Sequence, residues 1–335
     1  MGQEIRGKGE RAKRGKGEKG ESKKLHYFLS AFPRFPICPF PLLPISPCPI
    51  DKEFTEFMER IVLEKVPPIA RVTFNRPEVV NATDPLFVKE LLAIGKALAK
   101  TKDIRIVLVT GAGRGFCSGI DLKALSRDEI KQPWFRQWED AVRTFETLYD
   151  KAVICGIRGA CIGGGLQFTL ACDMRIAVED AFFSLTAVRH SIIPGLGTFR
   201  LPRALGLNRG KLLALVAARI NAQQALEWGV VDKVVKAEEL DGALNEAAEM
   251  FLQTAPTAFR ESKKLLTQCL DLPYNRFLAA YLKGQKACLT SADHDISSEA
   301  YLERRTPDFS QAAQQRAGRP VGRKLVAMKK TRKRG

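Results

Sequence analysis

Two apolar runs that each end in a glycine-rich turn constrain this chain most. Residues 104–111, IRIVLVTG, read as a continuous buried strand and lead into GAGRGFCSGID (111–121). Residues 152–159, AVICGIRG, read as another strand and lead into the glycine-rich stretch CIGGGLQ (161–167), which opens a helix. Around them, IARVTFN (69–75) alternates like a half-buried strand, and MRIAV (174–178) reads as a further strand. TDPLFVKELLAIGKALAK (83–100) opens on a Thr/Asp cap with Pro85 in its first turn, then runs apolar at helical spacing. A polar stretch at 123–150 contains Trp134 and Trp138, and the pattern after residue 198 is mostly helical to about residue 303. Strands alternating with helices, then a helical C-terminal part, predict an α/β core with a helical appendage.

The net charge of +17 on 335 residues invites a nucleic-acid reading, so its location matters. Residues 1–57 hold eleven basic against seven acidic side chains, and residues 304–335 hold eleven against one. Fourteen of the seventeen net charges therefore lie at the two ends, and the body between them has the balance of an ordinary soluble protein. Residues 1–57 join a Gly/Lys/Glu run to an apolar run broken by proline every two or three residues. Such sequence reads as low-complexity chain, or as a start placed upstream of the true one, and holds no spanning helix or signal segment. Residues 304–335 read as a basic, disordered tail. RNA contact through that tail is the weaker reading, because no aromatic residue is interleaved with its charges after Phe309.

Eight cysteines lie scattered without a CxxC pair, and the three histidines (His26, His190, His294) are far apart in sequence. That pattern predicts a reduced, cytoplasmic setting, with Cys155, Cys161 and Cys172 as small core residues and no metal site.

Each glycine turn offers backbone N–H groups without helical partners. Two such groups converging on one carbonyl oxygen would stabilise negative charge developing there. The plainer alternative is two tight turns that need glycine for backbone reasons alone.

At these residues the chain resembles a known family. FNRPEVVNATD, GAGRGFCSGIDLKAL, GACIGGGLQFTLACDMRIAVEDAFFSL, IIPGLGTFRLPRALG and QALEWGVVDKVV occur in the order found in the enoyl-CoA hydratase/isomerase (crotonase) superfamily. The resemblance spans roughly residues 58–303. It implies a ClpP-like spiral of ββα units over 58–255 and a helical trimerisation region over 256–303. It also implies a homo-trimer or hexamer, no membrane, and an acyl-CoA thioester as ligand, with coenzyme A entering only as part of the substrate. Carried over position by position, it makes the N–H groups of Ile120 and Gly164 an oxyanion hole. Ala82, Ile120, Asp121, Leu122, Lys123 and Gly164 become substrate contacts.

Hydratases of this family resemble one another in carrying two glutamates that position water and move the proton at the α-carbon. Here those positions hold Gln167 and Ala187, and an aspartate position used by dienoyl-CoA isomerases falls at Gly195. Gln167 is left an orienting role, and conventional hydration is expected to be slow. Three readings stay open. A different group, Glu139, Asp140 or His190, supplies the chemistry of a lyase or isomerase in fatty acid metabolism. The oxyanion hole alone serves a decarboxylation, or the protein binds acyl-CoA without turnover. Asp121, Asp173, Arg175 and Arg189 read as capping or ion-pair residues.

Overall fold

The computed structural model describes residues 58–309. The low-complexity segment, His26 and most of the basic tail lie outside the described residues. Six strands form one sheet: β1 (Ile61–Val66), β2 (Ile69–Phe74), β3 (Ile106–Gly111), β4 (Ala152–Ile157), β6 (Met174–Val178) and β9 (Lys233–Val235), in the order β1-β2-β3-β4-β6-β9. All neighbours are parallel except the antiparallel pair β1 and β2.

The central position of β3 and β4 explains their unbroken apolar sequence. Val107, Val109, Val153, Cys155 and Ile157 face one core, which includes helix α1 (Pro85–Lys100) and helix α3 (Gln132–Glu146). Ile106, Leu108, Ala152 and Ile154 face a second core closed by Leu240, Leu244 and Ala248 of helix α8 (Leu240–Leu252). A strand covered on both faces has no solvent side to mark with polar residues.

A second, three-stranded sheet holds β5 (Ala160–Ile162), β7 (Phe182–Ser184) and β8 (Ile220–Asn221) in the order β5-β7-β8. The chain passes from β4 into β5 and then into helix α4 (Gly164–Thr169), and from β6 into β7. Single bridges, Thr83 to Ile120 and Cys117 to Cys161, extend the same pattern back through the preceding turns. Each unit thus contributes a long strand to one sheet, a short one to the other, and then a helix, which is the expected spiral of ββα units.

Helix α1 starts as expected: Pro85 occupies its first turn and the Asp84 carboxylate accepts from the N–H of Phe87 at 2.7 Å. Two elements depart from the sequence reading. Strand β1 was not anticipated, because Glu64 and Lys65 interrupt its apolar residues where it lies on the sheet edge. The polar stretch at 123–150 forms two helices, α2 (Leu122–Ser126) and α3, and Trp134, Trp138, Ala141, Val142 and Phe145 bury one stripe of α3. Its charged outer face hid that spacing. The remaining helices are α5 (Gly197–Leu205), α6 (Leu207–Val216), α7 (Ala222–Trp228), α9 (Pro256–Gln268), α10 (Tyr274–Leu289) and α11 (Ala292–Leu302).

Candidate active site

The two glycine turns are zipped together. The N–H of Phe116 donates to Arg158 O at 2.8 Å, that of Cys117 to Ala160 O at 3.0 Å, and that of Ile162 to Cys117 O at 2.8 Å. Gly119 (φ +88°) then lies so close that a Cβ on it would sit 3.3 Å from the Gly164 nitrogen. Thr83 holds the far side of the turn, its N–H donating to Gly119 O at 2.7 Å and its carbonyl accepting from Asp121 at 3.0 Å. Among the hydrogen bonds of the described residues, the N–H groups of Ile120 and Gly164 donate to no protein acceptor. Gly164 is the first residue of α4, so its N–H has no partner within the helix.

Both residues line one cleft of about 320 Å³. The same cleft takes in Ala82, Asp121, Leu122, Lys123, Gln167 and Ala187, so the expected oxyanion and substrate-contact positions lie around one cleft. Sequence reasoning did not assign its aromatic wall. Trp134, Phe135 and Trp138 line the cleft from α3, with the two indoles stacked at 6.1 Å, and a Cβ on Gly164 would meet the Trp138 ring at 3.1 Å. The helical spacing of Trp134 and Trp138 was the available signal.

Asp121 caps α2, accepting from the N–H groups of Lys123 and Ala124, and pairs with Arg76 at 3.2 Å. Arg76 also reaches Asp84 and the carbonyl of Ala82, tying three segments of the cleft together. Burial alone would raise the Asp121 carboxyl, but the Ala124 N–H, the Arg76 guanidinium and the Lys123 N–H together hold it below its ordinary 3.8. The stability it contributes is therefore full above pH 3.8 and lost as pH falls through the lowered value. Urea denaturation of wild type and Asp121→Asn is expected to give a constant difference at higher pH that shrinks below that point.

The positions of the absent acids lie together. Gln167 is 6 % exposed, and its Oε1 is buried without a hydrogen-bond partner. Ala187 and Gly195 also line the cleft. Of the other groups weighed from sequence, Glu139 lines the cleft, whereas Asp140 points to an exposed pair with Arg136 at 2.9 Å. His190 is an exposed residue of the cleft lining. Asp173 accepts from the N–H of Val153 and from Lys263, and Arg175 pairs with Asp232, as their motifs suggested. Arg189 differs, donating to the carbonyls of Val216 and Ala217 rather than to a carboxylate.

Cys155, Cys161 and Cys172 are buried core residues, and burial drives the Cys155 and Cys161 thiols well above their ordinary range. Among the described residues, no cluster of His, Cys, Asp or Glu is placed to hold a metal ion, and no helix is long and apolar enough to cross a membrane.

The family model described as enoyl-CoA hydratase/isomerase matches residues 64–314. The short-chain-enoyl-CoA hydratase of Clostridium acetobutylicum is 31% identical over 251 residues, covering 74% of this chain and 96% of that protein. A peroxisomal Delta(3,5)-Delta(2,4)-dienoyl-CoA isomerase of Arabidopsis thaliana is 32% identical over 258 residues, covering 72% and 92%. Among solved structures, an enoyl-CoA hydratase from Bacillus anthracis superposes with a TM-score of 0.70 at 31% identity, covering 74% of this chain and 98% of that one.

Proposed function

The chain belongs to the enoyl-CoA hydratase/isomerase family, and from that premise we propose that it binds an acyl-CoA thioester and stabilises its enolate. The observation that carries this reading is the pair of unpartnered N–H groups, Ile120 and Gly164, facing one cleft. A thioester oxygen between them takes up negative charge as the α-carbon loses its proton, and donors already fixed in place need no reorganisation to meet it. Ala82, Asp121, Leu122 and Lys123 serve the coenzyme A part of the ligand, with the exposed Lys123 ammonium suited to a phosphate. The aromatic wall of α3 receives the acyl chain.

Gln167 orients rather than transfers a proton, so hydration by two carboxylates is not the reaction this site favours. A lyase or isomerase step through the enolate is the reading we adopt, with no resident cofactor and in a reduced, cytoplasmic setting. Assembly as a homo-trimer or hexamer belongs to the same reading. It is supported by the exposed apolar side chains Ile193, Leu212, Leu215 and Val216.

The test is a pair of ligands. Butyryl-CoA is expected to bind at least about tenfold more tightly in calorimetry than the S-butyl thioether of coenzyme A, which lacks the carbonyl. That ratio corresponds to the net worth of two hydrogen bonds. Equal affinities would remove the oxyanion reading.

A further inference from the structure

We propose that Glu139 is the proton-transfer group of this cleft, a carboxylate delivered by α3 to the place where Gln167, Ala187 and Gly195 supply none. The proposal rests on the acyl-CoA reading above. Gly195 has φ +47°, and a Cβ built on it would lie 2.7 Å from Glu139 Oε1 and 2.8 Å from Gln167 Oε1. The carboxylate therefore reaches into the space that a side chain at 195 would take, beside the glutamine that stands at the first acid position. Glycine at 195 is what leaves room for it.

The carboxylate is held ready rather than loose. Its Oε2 pairs with Arg200 at 3.0 Å, an arginine of α5 that is only 6 % exposed. Its Oε1 accepts the N–H of Leu196 at 2.8 Å and keeps a second lone pair for another proton. Gln167 acquires a physical reason in the same arrangement. Its buried Oε1 lacks a donor while a carboxylate oxygen stands nearby. Amide oxygen and nitrogen are assigned by their surroundings. With the amide turned over, its NH₂ faces the Glu139 carboxylate and steadies it. A glutamate at 167 would instead set a second negative charge against Glu139.

The step balances without an added reactant. Glu139 Oε1 takes the proton from the carbon beside the thioester carbonyl, and the C–H electron pair moves into the enolate, whose oxygen faces Ile120 and Gly164. Return of the proton to the same carbon gives exchange with solvent. Return to a conjugated carbon gives a double-bond shift.

The experiment follows deuterium uptake at C2 of butyryl-CoA in heavy water by the full chain, with butyryl-CoA affinity measured alongside. Glu139→Gln is expected to slow uptake by about 10²–10⁴-fold with affinity retained. Adding Gln167→Glu to Glu139→Gln is expected to restore uptake. Undiminished uptake in Glu139→Gln would overturn the proposal, as would wild-type protein that binds butyryl-CoA without exchange. Wild type that binds no acyl-CoA would remove the underlying reading as well. If Glu139→Gln fails to fold, Glu139→Asp decides: uptake reduced at least about tenfold with butyryl-CoA affinity retained supports the role, and unchanged uptake overturns it.

Discussion

Gly159→Val is expected to leave almost no folded protein. Gly159 has φ +54°, and a Cβ on it would lie 2.0 Å from Arg114 O, 3.1 Å from Arg114 C and 3.2 Å from Gly115 Cα. Every one of those atoms is backbone, so no side chain can rotate away. Moving either strand would break the ladder that joins the two glycine turns, where Phe116 and Cys117 donate to Arg158 and Ala160. It would also disturb Gly159 itself, whose carbonyl accepts from Phe182 and whose N–H donates to Asp180. A left-handed backbone by itself costs about 1–2 kcal/mol in a residue with a Cβ. The collision adds to that, against a net stability of about 5–15 kcal/mol for a domain. Gly229→Ala is the control: its φ is +80° but nothing lies within 4 Å, so a loss of about 1–2 kcal/mol is expected. Circular dichroism and urea denaturation of both variants check this, and similar losses would show that collision is not the decisive term.

The second large effect is expected at Phe168, on α4 just beyond Gln167. Phe168 is fully buried, with ring centroids 5.2 Å from Phe145, 5.4 Å from Phe74 and 6.5 Å from Phe116. Those partners come from α3, β2 and the first glycine turn, so one side chain braces α4 against three other parts of the fold around the cleft. Phe168→Ala is expected to cost about 3–5 kcal/mol, the usual range for a deleted core aromatic. Phe168→Leu, which keeps most of the volume, is expected to cost less than about half of that. Acyl-CoA affinity should fall further for the alanine variant than for the leucine one, because α4 carries Gly164 and Gln167. A loss under about 1 kcal/mol for alanine would mean that the cavity collapses and the cluster does not brace the site.

The value of Glu139 to the site shows how local and non-local information divide. A chain read for acids at the two expected positions finds Gln167 and Ala187, and the chemistry looks emptied. The carboxylate that approaches that space stands 28 residues before Gln167, on a helix whose polar face made its segment read as merely polar. Asp140, its neighbour, was an equal candidate in sequence. One step of 100° around the helix sends it to solvent and Arg136.

What the sequence determined by itself is what depends on near neighbours. The buried strands β3 and β4 follow from unbroken apolar runs, and the start of α1 from Asp84 and Pro85. The missing acids were legible too, because a side chain's chemistry is stated by its identity. Tertiary structure alone decided which groups meet. The sheet order sets Ile120 beside Gly164, the stripe of Trp134 and Trp138 faces α3 into the cleft, and Arg200 with Leu196 fixes Glu139 next to Gln167. Those contacts join residues far apart in the chain through packing and hydrogen bonding, and neither periodicity nor capping encodes such distances.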